Sequence, residues 1–271
     1  MKHVKYLGLA LILLFAIIGF VLVLGYFAVK LGWTDTRGIV DSLDRYSVGV
    51  GRQNYPWMQG QEWQVLQEAV IKDEAAIKRA ALAAGIPSRV IVASLVPEQL
   101  RLYHDEREIF KSFFAPLKLL GNQTQFSWGV MGIKPDTARA IELHLKDSTS
   151  PYYPGVDYEH LLDVSSTTPT SEERFARIAN DNDHYYSYLY AALYLRQIMA
   201  QWQHEGYDLS KRPEILATLY NIGFSSSEPK SAPQIGGAQV EINGMTYSFG
   251  GLAYEFYYSD ALVDHFPIEQ E

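Results

Sequence analysis

The stretch that most constrains the fold of this chain is a loop-and-helix signal at residues 127–138. Its sequence is Ser-Trp-Gly-Val-Met-Gly-Ile-Lys-Pro-Asp-Thr-Ala, in which Gly129 and Gly132 bracket an apolar pair. Glycine is used where another group must approach the backbone closely, because it has no Cβ. Pro135 fits the first helical position, where its missing N–H costs no hydrogen bond. The pattern predicts a tight loop that lines a groove, followed by a helix from Pro135 to about residue 145.

Two segments upstream of this loop predict helices, the first amphipathic and packed on the core, the second buried. Apolar residues recur at helical spacing over 62–84, and Gly85 provides a stop signal. The segment 87–96 is apolar nearly all round, which is typical of a buried helix. Pro97 is expected to end that helix, because proline disfavours helical geometry in the residue before it.

The remainder of the chain predicts further helices and a single hairpin. A capping-box pattern at Thr170–Glu173 starts one helix. Asn243-Gly244 is typical of a two-residue hairpin turn. Additional helices are expected within 105–121 and over 184–205, 213–223 and 251–266, with a long loop at 147–170. The predicted class is therefore mainly α with one small β-hairpin.

Composition excludes several functional classes. The 271 residues are 48% hydrophobic, enough for one globular domain with a sizeable core. A net charge of −8 argues against a nucleic-acid partner, whose phosphates require neutralisation by Lys and Arg. There are no cysteines, and His104 lacks the partner spacing of a zinc motif, so no metal or cofactor is predicted.

The amino-terminal segment predicts a membrane anchor. Residues 7–29 contain no charged side chain and are long enough to cross a hydrocarbon core as a helix. No small-residue cleavage site follows, which favours an uncleaved anchor over a signal peptide. The lysines and arginines on either side give only a weak orientation bias. We expect an anchor at 1–30, a stalk or peripheral segment at 31–61 and a helical domain at 62–271.

Three motifs, taken together, resemble one enzyme family. The run 127–138 closely resembles the Gly-Leu-Met-Gln-Ile-x-Pro-x-Thr-Ala signature of the lytic transglycosylases in the goose-lysozyme-like superfamily. Upstream, Glu98 follows an apolar helix, where the family places its catalytic glutamate. Downstream, 216–223 is similar to the family's Ala-x-Tyr-Asn-x-Gly motif. The resemblance spans about residues 87–225 and occurs in the family's order.

This resemblance implies a lysozyme-like helical domain that cleaves peptidoglycan. Glu98 would be the single acid/base acting on the bond between N-acetylmuramic acid and N-acetylglucosamine, and the product would carry a 1,6-anhydro end. Apolar walls would raise the pKa of Glu98 and keep it protonated. The implied location is the bacterial inner membrane, with a single-pass anchor and the domain on the periplasmic side. Peptidoglycan glycan strands would be its partner.

The resemblance also assigns roles to residues around Glu98. The family commonly has Gln at the position of Gly132, so that polar contact is either missing or supplied by Gln125. Tyr220 would lie over the glutamate and orient it, and Asn221 would shape the floor of the site. The implied substrate-binding residues are Ser127, Met131, Gly132, Tyr220, Asn221 and Gln125.

Two other functions remain open from the sequence. A catalytically impaired lysozyme-like module could bind peptidoglycan or serve as an envelope scaffold. Plain hydrolysis would require a second carboxylate across the cleft, and the sequence identifies none.

Overall fold

A computed structural model describes residues 15–17, 19–20, 23–24, 55–105, 128–164 and 169–268. The chain forms two compact units, residues 1–38 and 39–271. The described residues of the first unit are helical. Among the described residues, no helix has both the length and the apolar character needed to cross a membrane. The predicted anchor over 7–29 lies largely outside these residues, and the predicted helix within 105–121 lies almost entirely outside them.

The second unit is mainly helical, as predicted. Its described part begins at residue 55 and includes a 3₁₀ turn, Pro56–Gln59. The helices that follow are α1 (Gln61–Lys72), α2 (Glu74–Ala84), α3 (Ser88–Asp105), α4 (Pro135–Lys146), α5 (Ser171–Ile178), α6 (Tyr185–His204), α7 (Pro213–Ile222) and α8 (Phe249–Tyr257). Strands β1 (Gln239–Ile242) and β2 (Met245–Ser248) precede α8 and form an antiparallel pair. Short 3₁₀ turns occupy Val156–Tyr158 and Phe224–Ser226.

Helix α6 lies at the centre of this unit. Helices α2, α4, α5 and α7 all pack against it, and most of its side chains are buried. Helix α8 packs against both α3 and α7. The tyrosines of α6 that face inward therefore belong to the hydrophobic core, since their rings provide large apolar surfaces.

The prediction of one helix over 62–84 is wrong, because the helix breaks at Asp73. Its backbone leaves helical geometry, with φ −92° and ψ 5°. The Asp73 carboxylate accepts a hydrogen bond from the Tyr188 hydroxyl at 2.7 Å and lies 2.5 Å from Nδ1 of His184. Both partners lie at or near the start of α6, far away in sequence. Apolar periodicity carries no information about such a tertiary polar contact.

The prediction that Pro97 ends a helix is also wrong. Helix α3 continues through Pro97 to Asp105. Proline has no N–H to donate to the carbonyl four residues earlier, so the helix loses one hydrogen bond there. Val96, just before the proline, and Leu100, three residues after it, are almost completely buried. Burial on both sides of the proline favours continuing the helix, and Glu98 therefore lies within α3 rather than after it.

Several local signals are confirmed. Both hydrogen bonds of the capping box between Thr170 and Glu173 are present. Gly85 ends α2 in the left-handed conformation, at φ 62°. At the hairpin turn Asn243 and Gly244 both have positive φ, as the Asn-Gly pattern predicts. The closing helix is shorter than the predicted 251–266. It begins at Phe249, where the Ser248 side chain accepts a hydrogen bond from the Gly251 N–H, and ends at Tyr257.

A buried arginine fixes the carboxyl-terminal segment to α3. The Arg89 side chain is fully buried. Its guanidinium donates to the carbonyls of Phe256, Tyr257, Ser259, Ala261 and Phe266, at 2.8–3.0 Å. Burial lowers the pKa of Arg89 to about 10, still well above neutral pH. The charge is therefore retained and is satisfied by carbonyl dipoles.

Replacing this arginine should strongly destabilise the protein. We expect Arg89→Met to lower the free energy of unfolding by about 3 kcal/mol or more, because buried carbonyls lose their donors. Chemical denaturation of the full chain measures this. The matched control is Arg139→Met at an exposed position on α4, where a change within about 0.5 kcal/mol is expected. Equal effects of the two substitutions would contradict the role given to Arg89.

Candidate active site

The loop at 128–133 is a tight turn closed by backbone hydrogen bonds. The N–H of Trp128 donates to the carbonyl of Ile133 at 2.7 Å, and the reverse bond measures 3.0 Å. The N–H of Gly132 donates to the carbonyl of Gly129 at 3.2 Å. Both glycines have φ near +64°, a conformation that side-chain-bearing residues rarely adopt. The predicted close-approach loop is therefore present.

The two glycines also bring the loop into direct contact with its neighbours. A Cβ placed on Gly129 would lie 2.3 Å from the carbonyl oxygen of Ile178, at the end of α5. A Cβ placed on Gly132 would lie 2.1 Å from Oε1 of Glu98. Neither position has room for a side chain. The Glu98 carboxyl group thus occupies the space where residue 132 would otherwise place its Cβ.

Glu98 is almost completely buried, at 4% exposure. Arg101, one helical turn later on α3, donates from Nη2 to Oε1 of Glu98 at 2.8 Å. The cation stabilises a negative charge on Glu98, whereas burial disfavours that charge. Sequence reasoning missed Arg101, although its spacing from Glu98 is one that brings helical side chains together.

Tyr220 reaches the same loop from α7. Its hydroxyl donates to the carbonyl of Met131 at 2.5 Å. The pKa of Tyr220 is raised well above 10, first by burial and then by the nearby charge of Glu98. The tyrosine is therefore close enough to Glu98 for the carboxylate charge to act on its hydroxyl. Its proton, however, is donated to the loop backbone rather than to the glutamate.

Other polar groups hold the loop in place. The N–H of Met131 donates to Oγ of Ser187 at 3.2 Å, and Nε2 of Gln99 donates to the carbonyl of Val130. The Met131 side chain is fully buried. Met131 thus contributes backbone groups to the site, rather than a side chain that borders a sugar. Sequence reasoning singled out neither Ser187 nor this role of Gln99.

Asn221 connects α7 to the chain that leads into β1. Its Oδ1 accepts a hydrogen bond from the N–H of Ala238 at 2.7 Å. A Cβ on Gly237 would lie only 2.9 Å from this oxygen, so the contact is close. Asn221 therefore supports the end of α7 near Tyr220. Gln125 and Ser127 lie outside the described residues.

An aromatic cluster extends from Tyr220 towards partly exposed residues. The ring centroids of Tyr220 and Tyr194 lie 5.2 Å apart. The ring centroids of Tyr194 and Phe224 lie 4.3 Å apart. His144 contacts Phe224 at 4.9 Å and Tyr152 at 4.7 Å. Burial lowers the pKa of His144 below its ordinary value of 6.5, and the charge of Asp147 only partly opposes this shift.

The described residues hold a separate cavity and no evident metal site. A cavity of about 420 Å³ lies beside α4 and α5. Its lining includes the ion pair between Arg174 and Glu142, whose two hydrogen bonds measure 2.6 and 2.7 Å. Glu98 and Tyr220 are not among its lining residues. Within the described ranges, no group of His, Asp and Glu side chains could hold a metal ion.

No family model, curated protein or solved structure matches this chain.

The close approach of Gly132 to Glu98 can be tested with a double-mutant cycle. We expect Gly132→Ala to destabilise the protein by about 2 kcal/mol or more, from backbone strain plus overpacking. Gly206→Ala is the matched control, because Gly206 also has positive φ, at +83°, but has no atom within 4 Å of a Cβ. In a Glu98→Ala background, the cost of Gly132→Ala should fall to that of Gly206→Ala. An unchanged cost there would contradict the contact.

The shifted pKa of His144 predicts a pH dependence of stability. The unfolded chain binds this proton at higher pH than the folded chain, so stability is greatest above pH 6.5 and declines as pH falls. We expect His144→Gln to lose less stability than wild type between about pH 7.5 and about pH 5. Denaturation at both pH values measures this. Identical losses in the two proteins would show that His144 does not contribute.

Proposed function

We propose that this protein is a membrane-anchored lytic transglycosylase that cleaves peptidoglycan with Glu98 as its only acid/base. The observation that carries the proposal is the convergence of three motifs that lie far apart in sequence. Glu98 of α3 touches Gly132 of the tight loop, and Tyr220 of α7 donates to that loop beside the glutamate. These are the positions that the family resemblance assigns to one active site.

The chemistry requires one carboxyl group that changes role. Protonated Glu98 first donates to the glycosidic oxygen between N-acetylmuramic acid and N-acetylglucosamine, and the bond to the anomeric carbon breaks. The resulting carboxylate then accepts the proton of the C6 hydroxyl on the muramic acid. That oxygen bonds to the anomeric carbon and gives the 1,6-anhydro end. No water is consumed.

A single carboxyl group also fits the described surroundings of Glu98. Arg101, Gly132 and Tyr220 contribute a cation, a backbone and a phenol. Ordinary glycoside hydrolysis uses two carboxylates on either side of the scissile bond. The transglycosylase reaction therefore needs no second carboxylate among these neighbours, whereas hydrolysis needs one.

Gly132 can be reconciled with this function. The family commonly has Gln at this position, but here a Cβ would overlap the Glu98 carboxyl group. The loop thus contributes backbone groups to the site, and any side-chain contact with a sugar comes from another residue. Gln125 is the candidate for that contact.

The amino-terminal anchor and the substrate together define the setting of the enzyme. The domain over 62–271 adopts a lysozyme-like arrangement, with residues 1–30 as a single-pass anchor and 31–61 between them. The domain then lies on the periplasmic side of the bacterial inner membrane, where the glycan strands are found. The charge-free apolar run at 7–29 supports the anchor.

One observation favours a second candidate function, a peptidoglycan-binding or scaffold module without catalysis. Glu98 is buried and paired with Arg101, so it is not held as a free acid in this conformation. An ion pair of this kind can serve a purely structural purpose. The two functions differ in one measurable outcome, which is the release of product.

Product analysis distinguishes these functions. We expect the full chain, purified in detergent, to release anhydro-muropeptides from purified sacculi. Glu98→Gln should reduce the rate at least about 100-fold, because the amide cannot donate and then accept the proton. Mass spectrometry of the soluble products measures both, and Glu142→Gln, away from the loop, is the matched control.

Each other outcome identifies a different function. Reducing-end products would indicate a hydrolase. If wild type and Glu98→Gln both release nothing while the folded chain still sediments with sacculi, the binding module is the correct function.

A further inference from the structure

The cavity beside α4 and α5 has largely apolar walls. Its volume of about 420 Å³ lies within the range of small-molecule sites in proteins. Leu143 and Leu145 of α4 line it, together with Leu162 and Pro169 from the segment between the two helices. Water gains few hydrogen bonds from such walls. A ligand that fills this cavity therefore needs an apolar part that covers them.

Six ionic side chains, three basic and three acidic, also belong to the described lining of this cavity. Four of them already form two pairs. Arg174 donates two hydrogen bonds to the carboxylate of Glu142, and Nζ of Lys146 lies 2.6 Å from Oδ1 of Asp163. Because these four charges neutralise one another through charge-assisted contacts, they contribute little to the recognition of a charged ligand.

The other two ionic side chains, Arg139 and Glu159, have no ion-pair partner within the ranges that the structure describes. Arg139 is exposed on α4. The Glu159 carboxylate accepts a hydrogen bond from the hydroxyl of Tyr153 at 2.5 Å, and this bond raises the pKa of the tyrosine. A neutral phenol does not compensate the charge of a carboxylate. The cavity therefore presents one uncompensated charge of each sign.

We propose that this cavity is a second binding site, and that it takes a zwitterion with apolar side chains, such as a hydrophobic dipeptide with free ends. The ligand carboxylate pairs with Arg139, its ammonium pairs with Glu159, and its side chains cover the leucines. A ligand with a single charge leaves one of these two residues uncompensated. Glu98 and Tyr220 do not line the cavity, so binding here goes beyond glycan cleavage and does not require it.

The test uses the dipeptide Leu-Leu, both ends of which are charged at about pH 7. Isothermal titration calorimetry of the full chain in lipid nanodiscs measures its affinity, and empty nanodiscs correct for partitioning into lipid. We expect saturable binding. N-acetyl-Leu-Leu and Leu-Leu amide should each bind about fivefold more weakly, because a partly exposed ion pair contributes modestly. Gly-Gly should bind at least about tenfold more weakly, because it cannot cover the apolar walls.

Two variants assign each ligand charge to one side chain. Arg139→Gln should no longer distinguish Leu-Leu from its amide, while it keeps the preference over the acetylated peptide. Glu159→Gln should show the opposite pattern. The matched control is Arg79→Gln, because Arg79 is an exposed arginine on α2 that pairs with Asp183 at 3.8 Å. This control should keep the wild-type affinity for every peptide, and chemical denaturation without ligand checks that each variant is folded.

Three results would each overturn this second site: no saturable binding of Leu-Leu up to about 10 mM, equal affinity of wild type for the free and blocked peptides, or folded Arg139 and Glu159 variants that keep both preferences. Glycan cleavage is decided separately, by the release of anhydro-muropeptides. A chain that cleaves sacculi but does not bind Leu-Leu lacks only the second site. A chain that binds Leu-Leu as expected but releases no product lacks only the proposed enzymatic function.

Discussion

The guanidinium of Arg89 is the interaction on which the position of α3 depends. Two of its acceptors, the carbonyls of Phe256 and Tyr257, belong to the last turn of α8, where helical carbonyls have no partner within the helix. The negative end of the α8 dipole also favours a cation there. A single side chain thus satisfies a helix end and the turns beyond it, and it anchors both to α3. Because Glu98 lies on the same helix, this contact also positions the candidate acid.

The close contact between Glu98 and Gly132 limits which residues either position can accept. The carboxyl group occupies the volume that any side chain at 132 would need, so each residue restricts the identity of the other. Polar side chains on three separate elements hold the loop against Glu98. Gln99 on α3 and Tyr220 on α7 donate to loop carbonyls, and Ser187 on α6 accepts a hydrogen bond from the N–H of Met131. The loop is therefore fixed from several directions. A site held in this way needs little reorganisation when charge develops within it.

Local sequence signals predicted much of this fold. The capping box at Thr170, the stop at Gly85 and the Asn243-Gly244 turn all depend on residues adjacent in sequence, and all three are present. The break at Asp73 was not predictable in this way, because it depends on partners near the start of α6. The prediction that Pro97 ends a helix is wrong for a related reason. The local preference of this proline to end a helix competes with the burial of apolar residues on both sides, and burial prevails.

The candidate site shows the same division between local and tertiary information. The motifs at Glu98, Gly132 and Tyr220 could be found from sequence, and the structure brings them together. The acceptor of the Tyr220 hydrogen bond could not be predicted from sequence, because several acceptors were available to a buried hydroxyl. The Arg101 pair was accessible in principle from helical spacing, but spacing alone cannot decide whether two charges meet in water or against a covering loop.

Burial decides what the Glu98–Arg101 pair can contribute. On a solvent-exposed helix, such a pair would add little stability and would exchange partners freely. Fully buried, it would resist exchange, because separating the charges leaves one of them uncompensated. This pair is intermediate, with the carboxylate covered and the guanidinium partly open. Its contribution to stability therefore lies between that of a surface pair and that of a fully buried pair.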